Sequence, residues 1–157
     1  MMNKRAISPL VSTIILIILA IGIGIIVMNW GRAQLEAGAK CSIETDLKVV
    51  ELNNLPQVCY SGSGDSGFIK FIVENGANTN IETIQLRVIG SEQIYTTDVE
   101  ESSIEIGYTL QKIVPYNFNI FGKIRQVKLT PKIIVYPGDP LIICPEQAIT
   151  VENIQEC

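Results

Sequence analysis

The sequence predicts an α+β chain, with one long N-terminal hydrophobic α-helix followed by an all-β antiparallel sandwich. Three observations predict it. No charged side chain occurs between Arg5 and Arg32. From about Cys41 the apolar residues switch to a period of two, the signature of strands with one buried face. The chain has 157 residues and 47% hydrophobic composition, room for one modest domain plus an extra element.

The helix comes first. Leu10 to Trp30 is a run of 21 residues rich in Ile, Leu and Val. As a helix it measures about 30 Å, the hydrocarbon thickness of a bilayer. A cleaved secretory signal has an apolar core of only about 7–15 residues, so this run is too long for one. Ala37-Gly38-Ala39 looks like a signal-peptidase site but lies beyond Arg32 and Glu36. Lys4 and Arg5 precede the run and hold the N-terminus in the cytoplasm, which places the remainder outside. Trp30 falls at the outer interface, a favoured place for tryptophan. Gly38 is the expected helix stop.

Ser8 and Pro9 form the first turn, where the missing proline N–H costs little. Lys4-Arg5-Ala6-Ile7-Ser8-Pro9-Leu10, running straight into an apolar helix, resembles the N-terminus of archaeal type IV pilins. The resemblance covers about 25–30 residues. It implies a class III signal peptide, cut by a prepilin peptidase between Arg5 and Ala6. Lys4 and Arg5 are then the recognised charges and Ala6 the new N-terminus, with Ser8 and Pro9 at the third and fourth mature positions. Bacterial pilins carry glutamate at the fifth mature position, where this chain has Leu10, a departure that archaeal members share. Archaellins have the same architecture with a Gly-rich start.

The resemblance divides the chain into a cleaved leader (1–5), a transmembrane and filament-core helix (6–38) and an extracellular head (41–157). Leu10, Ile14, Ile18, Ile21, Ile25 and Met28 are the expected filament-core side chains. The implied partners are further copies of the chain, the prepilin peptidase and the pilus assembly machinery in the membrane. The implied role is a surface filament for adhesion. The alternatives are an archaellum subunit for motility and an uncleaved membrane-anchored binding module.

The head is read from alternation. "GFIKFIVENG", "NIETIQLRVIG", "SIEIGYTL" and "IRQVKLTPKIIVY" are separated by Asn75-Gly76, Gly90-Ser91, Gly107, Gly122-Lys123 and Pro137-Gly138. Strands with turn signals at such spacing read as an antiparallel, immunoglobulin-like sandwich of roughly seven to nine strands. Ile84, Leu86 and Val88 are expected to point inward. Cys41, Cys59, Cys144 and Cys157 all follow the apolar run, and none forms a CxxC. An even count beyond a membrane segment reads as two disulfides in an oxidising exterior. Three connectivities exist. The local closures Cys41–Cys59 and Cys144–Cys157 are the first expectation, and Cys41–Cys157 with Cys59–Cys144 is the second.

Several function classes drop out. The chain lacks histidine, so the commonest general base and a leading metal ligand are missing. No enzyme activity, cofactor or metal site is expected. Without Lys4 and Arg5 the balance is 10 basic against 16 acidic residues, which argues against nucleic acid. Gly64-Asp65-Ser66-Gly67 copies a serine-protease string, but no histidine can complete a triad. "YSGSGDSG" therefore reads as a loop. Asp98, Glu100 and Glu101 read as a solvated acidic edge rather than a calcium loop. Tyr108, Tyr116, Phe118 and Phe121 are weighed as an adhesive patch, with at least half expected in the core.

Overall fold

The computed structural model describes residues 9–76, 78–134 and 137–157, apart from the side chains of 9, 10, 33, 34, 36–40 and 42–44. Lys4, Arg5, Ala6 and Ser8 lie outside the described residues, as does the side chain of Leu10. The chain divides into two compact units, Met1–Ala37 and Gly38–Cys157. The second is called the head below.

Helix α1 runs from Pro9 to Glu44. The expected stop at Gly38 is therefore passed, and Ser42–Glu44 is helix rather than the start of a strand. A mid-helix glycine costs only about 1 kcal/mol. The last turns recover more than that, because Cys41 is buried against Ile133 and Cys144.

Two sheets form the head. In the first, β5 (Gly67–Asn75) pairs along its length with β8 (Thr109–Tyr116). Its other edge carries β1 (Leu47–Val49) and β4 (Val58–Ser61), laid end to end. A small hairpin, β2 (Glu51–Leu52) with β3 (Leu55–Pro56), is inserted between them. In the second sheet, β6 (Thr83–Gly90) lies between β7 (Ile94–Val99) and β9 (Ile124–Ile133). The far edge of β9 carries β10 (Ile142–Ile143) and β11 (Ile149–Glu152), also end to end. The C-terminal β12 (Gln155–Glu156) joins β4 in parallel, a departure from the expected antiparallel pairing.

Alternation builds the core as the sequence predicts. Ile69, Phe71 and Val73 of β5 face Ile84, Leu86 and Val88 of β6 and Val127 and Leu129 of β9, all fully buried. Pro131 is tolerated inside β9 because of where its missing N–H falls. Its carbonyl accepts from the Cys144 N–H, so its nitrogen faces the gap between β11 and β10, where no ladder bond is lost. Opposite it, the buried Ile84 N–H donates to Ser102 Oγ at 2.8 Å, and that hydroxyl donates to the Val99 carbonyl at 2.7 Å. Ser102 thus closes the ladder where β7 ends.

The aromatic residues collapse into a corner. Asn117 caps the short helix α2 (Phe118–Phe121), accepting from the N–H groups of Asn119 and Ile120. Tyr116, Phe118 and Phe121 pack with Tyr60 and Tyr95, and the Tyr116 hydroxyl donates to the Gly122 carbonyl at 3.2 Å. Gly90 allows this closeness, since a Cβ there would meet the Phe121 carbonyl oxygen. Of the four residues weighed as an adhesive patch, only Tyr108 is exposed.

The disulfides correct both expected pairings. Cys41 bonds Cys144 and Cys59 bonds Cys157, at sequence separations of 103 and 98. Cys41 sits in helix α1 rather than in a strand beside Cys59, and register places Cys59 opposite Gln155 of β12. Closing loops of this length removes about 4–5 kcal/mol of unfolded-state entropy each in the chain-entropy model.

Two measurements check this description. Peptide mapping without reductant should recover linked peptides containing Cys41 with Cys144 and Cys59 with Cys157. Ser102→Ala should lower unfolding stability by about 1–3 kcal/mol in urea titration, because it strands a buried N–H.

Candidate functional site: the exposed apolar helix

The most unusual surface of the first unit lies on helix α1. Val11–Arg32 is 22 residues long, and none of it is buried within the chain. Fourteen large apolar side chains between Val11 and Trp30 are exposed. At about 1.5–3 kcal/mol for each such side chain fully buried, their exposure to water costs upwards of about 20 kcal/mol. That exceeds the typical 5–15 kcal/mol stability of a whole domain. Transfer of the helix out of water is therefore strongly favourable, and its length and composition are enough to cross a bilayer.

The distribution matters as much as the amount. Ile14, Ile18, Ile21, Ile25 and Met28 form one exposed stripe at helical spacing. Ile15, Ile17, Leu19, Ile23 and Ile26 occupy the other faces and are just as exposed. A surface helix of a water-soluble domain has a polar face, and this one has none. The exposed Trp30 stands two residues before the exposed Arg32, so the apolar surface ends on an interfacial residue and a charge.

Among its described residues the head carries open grooves. One margin carries a groove lined by Leu47, Val49, Glu51, Glu74 and Ile149, and the other a groove lined by Tyr95, Asp98, Glu101, Lys112 and Ile113. Among the described residues no group of three or more Cys, Asp or Glu could hold a metal. Asp65 of the protease-like string accepts from the side-chain amides of Asn117 and Asn119 at 2.8 and 3.0 Å. It fastens the loop to helix α2. The acidic trio is also split. Asp98 takes two hydrogen bonds from Lys132 Nζ at 2.7 and 2.8 Å, and Glu101 lies 3.9 Å from Lys112.

Sequence reasoning missed the Asp98–Lys132 pair and the role of Ser102. The only signal for the first is register. Lys132 stands opposite Thr83 and Asp98 opposite Gln85, so the two carry a diagonal across β6. No family model, curated protein or solved structure matches the chain.

Ile18→Asp places a charge mid-helix at an insertion cost of about 3 kcal/mol. It should sharply reduce the share of the chain recovered with membranes by carbonate extraction. Ile113→Asp, on the exposed face of β8, should leave that share unchanged.

Proposed function

We propose that the chain is the structural subunit of an archaeal type IV pilus-like surface filament that serves adhesion. The observation that carries this reading is the helix apolar on every side. Lipid can satisfy such a surface in the precursor, and copies of the same helix can satisfy it in a polymer. A bilayer anchor would need the same length. The resemblance of Lys4-Arg5-Ala6-Ile7-Ser8-Pro9-Leu10 to archaeal pilin starts favours the filament.

The mechanism has three steps. The precursor inserts with Lys4 and Arg5 on the cytoplasmic side. A prepilin peptidase hydrolyses the Arg5–Ala6 bond, which removes both charges and leaves an N-terminus able to leave the membrane. The assembly machinery then stacks the helices into a common core with the heads outward. The two disulfides support the exterior placement, since such bonds persist in oxidising surroundings.

Mass spectrometry of the protein isolated from cells tests the reading. A mature chain beginning at Ala6, found in sheared surface filaments, is the expected result. Retention of Met1 or Met2 in a monomeric membrane protein would leave only an anchored binding module. Arg5→Glu should stop both processing and filament formation, and normal filaments from that variant would sink the peptidase assignment.

A further inference from the structure

The head is acidic, with fifteen Asp and Glu against eight Lys and Arg from Cys41 onward. Half of those eight cations stand on two neighbouring strands, Arg87 on β6 and Arg125, Lys128 and Lys132 on β9. Lys132 is neutralised by Asp98. Arg87 and Lys128 are not. They are directly opposite one another in the β6–β9 ladder, on the outer face, since Leu86, Val88, Val127 and Leu129 fill the inner one. Their neighbours across the sheet are Thr96 and Thr150. Among the described residues, neither cation lies within 4.0 Å of a carboxylate. Like charges placed directly opposite weaken a strand pair. Asp98 and Glu152 stand diagonal to the pair on the same face, but Asp98 is bonded to Lys132 and Glu152 to Gln126, so among the described residues the two cations have no carboxylate partner of their own.

A matching pair of carboxylates stands elsewhere on the head. Glu100 and Glu101 follow β7 in an exposed turn, and the Glu101 side chain is 93% exposed. Glu101 holds a left-handed backbone, φ 48°, an uncommon conformation for a residue with a Cβ. Ser102 pins the turn from below through Val99 and Ile84. The turn is thereby held in place with both carboxylates outward.

We propose that the Arg87–Lys128 pair of one copy receives the Glu100–Glu101 turn of a second copy. The contact rests on the filament reading and adds a head-to-head interaction to it. Charge complementarity selects the occupant, two cations with no carboxylate within 4.0 Å against two exposed carboxylates, of which Glu101 has only a long 3.9 Å contact to Lys112. A guanidinium donates paired hydrogen bonds to a carboxylate, which fixes orientation as well as attraction. The two patches occupy different parts of the surface, so the contact is heterologous, the kind that propagates along an open polymer.

Charge exchange in the full chain, expressed in cells, tests the proposal. Arg87→Glu with Lys128→Glu should reduce sheared filament yield by about tenfold or more. Glu100→Lys with Glu101→Lys should do the same. Processing at Ala6 and the disulfide map should be unchanged in both. Combining all four substitutions should restore the parental yield. Parental yield from either double variant, or no recovery in the combined one, overturns the docking. If Arg87→Glu with Lys128→Glu assembles normally but loses retention on heparin resin, the patch takes a polyanion and not a second copy. If the parent keeps Met1 or Met2 and forms no filament, the filament reading itself fails and the docking falls with it.

Discussion

Helix α1 presents an apolar surface on every side of Val11–Trp30, and removing that surface from water is strongly favourable. That constraint orders the other features. Val11–Arg32 contains no acid or base before its last residue, and a charge there would oppose transfer into lipid. Charges cluster instead at Lys4 and Arg5 and from Arg32 onward. The head bears the polarity that keeps such a chain manageable, and it meets its own stability needs separately, through a two-sheet core and two long-range disulfides.

Within the head, the ladders are interrupted on both sheets. β1 and β4 share one edge of β5, and β10 and β11 share one edge of β9, so each row has a break. At the breaks the backbone groups find other partners. The Ile72 carbonyl accepts from the Val50 N–H, and the Ile72 N–H donates to the Gln57 carbonyl, so the inserted β2–β3 hairpin leaves no buried group unpaired at that residue. Pro131 fills the corresponding position in β9. The polar hub of Ser102 belongs to the same logic, satisfying the Ile84 N–H that regular pairing leaves over.

Periodicity made the helix and most strands legible. A run with no charge and no alternation has one reading, and Ile84, Leu86 and Val88 alternate because one face of β6 is buried. The helix end was not legible at Gly38, because a tertiary bond from Cys41 to Cys144 outweighs a local propensity. Disulfide pairing failed for a related reason. Four cysteines allow three pairings, and choosing among them requires knowing that β12 returns to β4 and that the segment after β10 returns to the helix. The Arg87–Lys128 opposition was hidden likewise, since only strand register brings residues 41 positions apart face to face.

The disulfide pattern has a topological consequence. The bonds interleave, with Cys59 inside the Cys41–Cys144 loop and Cys157 outside it. A single backbone cut anywhere between Cys41 and Cys157 therefore leaves two fragments still covalently joined. Local closures would have left the whole stretch from Cys59 to Cys144 open to severance by one protease event. A load applied through the helix likewise has a covalent route from Cys41 directly to the strand ends near Cys144, bypassing about a hundred peptide bonds. In such a head a single nick does not separate the pieces.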